Sequence, residues 1–125
     1  MNLVDSSGWL EYFAEAPNAG FFAPAIEDST RLLVSTINLY EVFKRVQQQR
    51  NETQALQAVA VMGRGRVLAP DAPIALHAAQ LSIAHHLPMA DSLILATARA
   101  HDATLWTQDA DFENLEGVRY VRKMG

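Results

Sequence analysis

Apolar residues recur along this chain in two rhythms. Short apolar runs at residues 2–4 and 32–34 read as buried strands, residues 67–68 and 104–106 as a third and a fourth strand, and residues 119–121 as a fifth. Longer stretches between them carry helical spacing. Ser6 or Ser7 can cap a helix running to about Ala14, and residues 16–20 read as a turn. A helix over 21–28 follows, with Pro24 tolerable only near its first turn. Thr36 is placed to cap a helix through Tyr40, Phe43 and Val46. Asn51 opens another, whose apolar positions Leu56, Val59, Ala60 and Met62 run up to the break at Gly63-Arg64-Gly65. Residues 72–86 are helical, Pro88 marks a boundary, and a last helix covers about 89–100. Strands alternating with helices predict an α/β fold, with a central parallel sheet of four or five short strands flanked by helices and right-handed crossovers.

With 125 residues, half of them apolar, the chain has the size of one domain spanning 1–125, large enough to fold without crosslinks. It contains no cysteine, which excludes thiolate metal sites and thiol nucleophiles and suits a cytoplasmic setting. The first residues carry an acid at Asp5 and no basic region ahead of an apolar run, so no signal peptide is expected. Every apolar stretch is too short for a membrane span.

The acids change the picture most. In open parallel sheets ligands bind at the carboxyl ends of the strands. Asp5 follows the first strand, Glu41 lies near the start of the helix after the second, Asp91 opens the helix before the fourth, and Asp109 lies three residues beyond Trp106. Each acid alone has an ordinary structural role. Asp5 and Asp91 could cap helices, Glu41 could pair with Arg45 one turn on, and Asp109 and Asp111 could be turn residues. Together they would meet at one end of the sheet. Carboxylates packed so closely are tenable chiefly around a cation, and an all-oxygen set selects magnesium or manganese. Such an ion lowers the pKa of a bound water and stabilises charge on a phosphoryl oxygen, which is the chemistry of phosphodiester hydrolysis.

A net charge of −4 is unusual for a chain that binds nucleic acid. Of the 14 acids, however, setting aside Asp5, Glu41, Asp91, Asp109 and Asp111 leaves nine against ten Lys and Arg, a near-neutral remainder. Lys44 with Arg45 and Arg64 with Arg66 are two pairs that could meet phosphate or simply form a solvated face. The four histidines match no metal-binding spacing, and no phosphate loop or dinucleotide fingerprint is present. Trp9, Phe13, Phe21 and Phe22 could pack in the core or expose an apolar patch suited to a protein partner.

These residues resemble a known family along nearly the whole chain. The segments Leu3-Val4-Asp5-Ser6-Ser7 with Trp9-Leu10, residues 35–42 around Glu41, residues 87–92 around Asp91, and residues 105–112 around Asp109 resemble the PIN-domain nucleases, in particular the VapC-type toxins of toxin–antitoxin pairs. Four segments in this order and spacing are specific. The resemblance implies a single PIN-like domain and a magnesium- or manganese-dependent endoribonuclease that cuts cellular RNA, often transfer or ribosomal RNA, with a preference for single strands. It implies that Asp5, Glu41, Asp91 and Asp109 form the catalytic, metal-holding quartet, with Asp111 as an assisting metal acid and Ser6 and Thr107 as nearby hydroxyls. It also implies an antitoxin partner and a homodimer. The competing expectations are a catalytically silent PIN-like module that binds RNA or a partner, and a structure-specific DNase. A phosphoacceptor receiver domain fits poorly, because it wants an acid pair after the first strand and Asp5 is followed by two serines.

Overall fold

A computed structural model describes residues 1–124. Five strands form one parallel sheet: β1 (Asn2–Val4), β2 (Leu32–Ser35), β3 (Arg66–Leu68), β4 (Thr104–Thr107) and β5 (Val118–Tyr120). Their spatial order is β3-β2-β1-β4-β5. The helices are α1 (Ser6–Phe13), α2 (Ala19–Glu27), α3 (Thr36–Gln49), α4 (Glu52–Met62), α5 (Ala72–His85) and α6 (Met89–Ala100).

The period-two alternation of strand side chains divides the apolar residues between two layers. Leu3, Leu33 and Leu105 face α5 and α6, where Ile74, Leu81, Ile94 and Leu95 complete one core. Val4, Val34 and Trp106 face the opposite side and pack with Trp9, Phe22, Val42 and Met62. The central strands β1, β2 and β4, joined through helical crossovers, are covered on both faces, while β3 at the edge leaves Val67 42% exposed. Trp9 and Phe22 are fully buried, so the aromatic patch considered for a partner surface lies mostly in the core. Gly8 on α1 permits that closeness, since a Cβ there would lie 2.6 Å from the Phe22 ring and 2.7 Å from Val4.

Three helix starts differ from the sequence expectation, each for a local reason. Helix α1 is entered through the Asp5 backbone, whose carbonyl accepts from the Gly8 and Trp9 N–H groups, while the Asp5 side chain makes no capping bond. Ser35 rather than Thr36 caps α3, through a box in which Ser35 Oγ accepts from the Ile37 N–H and Asn38 Oδ1 accepts from the Ser35 N–H. Helix α2 begins at Ala19, so Pro24 stands inside it rather than in its first turn. The starts of α4 and α5 are capped by Asn51 and Asp71, which accept from Gln54 and Ile74.

The chain lays down β1, β2 and β3 toward one edge and then crosses back to place β4 and β5 on the other side of β1. The direction of winding therefore reverses between β1 and β4. At such a switch point the loops leaving the two strands diverge and open a crevice at their carboxyl ends.

Candidate metal centre

Asp5 leaves β1 and Asp109 follows β4, so both stand at the mouth of that crevice. Asp91 reaches it from the first turn of α6, and Glu41 from the second turn of α3. All four line one open cleft of about 890 Å³. Asp91, Asp109 and Asp111 each bring one carboxylate oxygen into a group whose members lie within 4.8 Å of one another. Asp5 and Glu41 line the same cleft and act on this group through their charge.

Hydroxyl groups hold the acids in place. Asp5 Oδ2 accepts from Ser7 Oγ at 2.8 Å and from Thr107 Oγ1 at 3.0 Å. The Thr107 oxygen in turn accepts from the Asp109 N–H at 2.9 Å, so one hydroxyl ties the two strand ends together. Asp109 also shapes its own loop, with Oδ1 accepting from the Asp111 N–H at 2.9 Å. On the other wall, Ser6 Oγ donates to Glu41 Oε1 at 2.7 Å and accepts from Asn38 Nδ2 at 2.9 Å. The same Asn38 closes the α3 capping box, so the start of that helix and the orientation of Glu41 are set by one buried side chain.

The electrostatics carry the mark of a site built for positive charge. Burial raises the Asp5 carboxyl from 3.8 to about 6, against the hydrogen bonds from Ser7 and Thr107 that favour its charged form, and the nearby charges of Asp109 and Glu41 push it further up. Burial also raises Asp91, to about 7, reinforced by the charges of Asp5, Asp109, Asp111 and Glu41. Near neutral pH Asp91 is thus partly protonated, and below about pH 6 Asp5 joins it, protons that a cation would displace. The donor set consists of carboxylate oxygens converging from separate segments, which fits a hard divalent ion.

A second network, absent from the sequence reading, buttresses the loop that carries Asp109. Glu11 is buried on α1, where its Oε2 accepts from the Asn18 N–H at 2.8 Å and its Oε1 from Gln108 Nε2 at 3.0 Å. Asn18 Nδ2 donates both to Gln108 Oε1 and to the Arg122 carbonyl, each at 3.0 Å. Gln108 lies between Thr107, whose hydroxyl holds Asp5, and Asp109, so this network fixes the segment that carries both. No local signal in the sequence marks the network, since its members meet only in the fold.

Of the basic pairs weighed from sequence, Arg45 lines the cleft, while Lys44 turns away and lies 5.6 Å above the Tyr40 ring. Arg64 and Arg66 are not among the residues lining the cleft.

Comparison with known proteins agrees with this fold. The chain superposes on a toxin–antitoxin complex from Klebsiella pneumoniae with a TM-score of 0.78 and 24% identity, covering 95% of this chain and 96% of that one. It superposes on VapC20 from Mycobacterium tuberculosis, described as a sarcin–ricin loop cleaving toxin, with a TM-score of 0.76, 18% identity and coverage of 93% and 95%. DNA-bound VapBC from Salmonella typhimurium gives 0.75, 18% identity and 98% coverage of both chains. At these identities the likeness is one of fold. No curated protein sequence matches the chain. The PIN domain family model matches residues 3–118, from the strand before Asp5 to the first residue of β5, and the chain belongs to the PIN domain family.

Proposed function

We propose that the chain is a magnesium- or manganese-dependent endoribonuclease, the toxin of a toxin–antitoxin pair, with residues 1–125 acting as one PIN unit. The observation that carries this reading is the meeting of Asp5, Glu41, Asp91 and Asp109 in one cleft, where burial and then the neighbouring carboxylates raise Asp5 to about 6 and Asp91 to about 7. Asp91, Asp109 and Asp111 are the residues that would hold the ion, with Asp5 beside them. Glu41, oriented by Ser6, is the group that would position or deprotonate the attacking water. A bound divalent ion would supply an activated water and stabilise charge on the phosphoryl oxygens.

RNA is the substrate favoured, in single-stranded stretches of transfer or ribosomal RNA. The likeness to a toxin described as cleaving the sarcin–ricin loop supports it. The likeness to toxin–antitoxin complexes supports an antitoxin as partner and action in the cytoplasm. No helix among the described residues is long and apolar enough to cross a membrane. A homodimer is the assembly we favour, because Leu76 and Ile83, seven residues apart on α5, are 72% and 79% exposed.

The test is cleavage of total cellular RNA by the purified chain in magnesium, in manganese and in chelator, beside Asp5→Asn. Discrete fragments that need metal and vanish in the variant are expected. Intact RNA under every condition, with metal binding demonstrated, would turn the reading toward a DNA substrate or a module that binds without cutting.

A further inference from the structure

The cleft that holds the acids is also lined by basic and amide side chains. Along α3 the cleft-lining residues Glu41, Arg45 and Gln49 repeat every four positions, so they form one stripe up the helix, and Arg50 follows at its end. Gln54 and Gln57 of α4 face the same space. The segment after β5, tied down by the bond from Asn18 Nδ2 to the Arg122 carbonyl, brings Lys123 to the cleft as well. Arg45, Arg50 and Lys123 are all solvent-exposed, with their charges free to meet a ligand.

The spacing suits a polymer of phosphates. Four residues of helix advance about 6 Å and eight about 12 Å, so Arg45 stands one such step from Glu41 and the Gln49–Arg50 pair two steps. Successive phosphates of an extended strand are separated by a comparable step. A strand whose scissile phosphate sits at the carboxylates would therefore place its next phosphates opposite Arg45 and then Arg50. The glutamine amides, which both donate and accept, face the same cleft and can meet base edges.

We propose that Arg45, Arg50 and Lys123 form a substrate track that holds the phosphates of single-stranded RNA flanking the cut, with Gln49, Gln54 and Gln57 contacting its bases. The inference rests on the endoribonuclease reading and names the part of the chain that selects the strand. A net charge of −4 is compatible with a polyanionic substrate where basic side chains line its path, and three of the ten Lys and Arg line this cleft.

The experiment uses an unstructured RNA oligonucleotide in two arms. Fluorescence anisotropy on the Asp91→Asn chain, where cutting is blocked, measures binding as salt is raised. Three phosphate contacts to a single strand give a slope of about −2 in log K against log salt, a roughly twenty-fold loss between about 50 and 200 mM. Arg45→Ala, Arg50→Ala and Lys123→Ala should each flatten the slope by about 0.7. In the cleaving chain the same substitutions should raise KM about five-fold with kcat retained. Unchanged slope and KM in the triple variant would overturn the track while leaving the nuclease in place. Salt-dependent binding that the substitutions abolish, in a chain that never cuts RNA, would support the track and overturn the nuclease. Binding of an acidic peptide in place of RNA would overturn the track and make this wall a protein-docking surface.

Discussion

Replacing Asp5 by Asn should stabilise the metal-free chain, and the size and pH range of the effect follow from its surroundings. In the folded chain Asp5 is 4% exposed and its carboxyl is raised from 3.8 to about 6, so ionising it there is harder than in the unfolded chain. A group with this sign withholds stability above its folded pKa. The penalty is full above about pH 6, shrinks as pH falls toward 3.8, and is absent below that. At about 1.36 kcal/mol per pH unit, the difference between 3.8 and about 6 is on the order of 3 kcal/mol. Asparagine removes the charge, and its one oxygen can still accept from Ser7 and Thr107. Some of the gain is lost to imperfect amide geometry, so a net stabilisation of about 1–2 kcal/mol is expected at pH 8, a rise in Tm of several degrees for a domain of this size. In chelator, thermal unfolding followed from pH 4 to pH 8 should show the variant above the parent at the alkaline end and somewhat below it at the acid end, where only the amide's poorer geometry remains. Saturating manganese should shift the order toward the parent, since a ligand at a hundred times its Kd adds about 2.7 kcal/mol and the variant, which keeps Asp91, Asp109 and Asp111 but not Asp5, binds it more weakly. A parent that equals or exceeds Asp5→Asn at pH 8 without metal would refute the reasoning.

Metal affinity itself should fall as pH drops below about 7, because Asp91 and then Asp5 take up protons that compete with the ion; calorimetric titration with manganese at pH 6 and pH 8 would show it as proton release and a weaker Kd at the lower pH. Glu11→Gln leaves one acceptor oxygen where Asn18 and Gln108 need two, so manganese affinity should drop about ten-fold while the far-ultraviolet circular dichroism is unchanged; equal affinity would reduce the network to a packing feature. Gly8→Val drives side-chain atoms into Phe22 and Val4 and should cost about 1–3 kcal/mol in urea unfolding, with the smaller Gly8→Ala costing less. Ser35→Ala removes the acceptor for the Ile37 N–H and should cost about 1 kcal/mol, with an additional loss of cleavage rate if the cap also sets Glu41 through Asn38.

The sheet and the convergence of its acids were legible in the sequence because both follow from strand order and period. Buried strands announce themselves as apolar runs, and an acid immediately after such a run has only the carboxyl edge of the sheet to occupy. The hydroxyls were legible in part. Ser6 and Thr107 stood out through the resemblance, and the structure places Ser6 on Glu41 and Thr107 between Asp5 and Asp109. What stayed hidden was the set of buried polar side chains that meet only in three dimensions. Asn38 looks like an ordinary first-turn residue of α3, since the familiar capping box has Glu or Gln at that position and Thr36 competes for the cap. Glu11, Asn18 and Gln108 are separated by as many as 97 positions, and nothing local to any of them predicts burial.

These hidden residues and the acid cluster pose the same physical problem. An acid cluster repels itself, and left to relax it would spread until its members reached solvent. Here Asp5 is pinned by two hydroxyls, Glu41 by Ser6 under Asn38, and the Asp109 loop by Gln108 under Glu11, so each bears its neighbours' charge without moving. Pinning keeps Asp5 and Asp91 where burial first, and their neighbours' charges after it, raise their proton affinity. The same stored repulsion is what a divalent cation would relieve on binding. The buried polar network, costly for folding on its own, is therefore the means by which an acidic chain of 125 residues holds a site for positive charge.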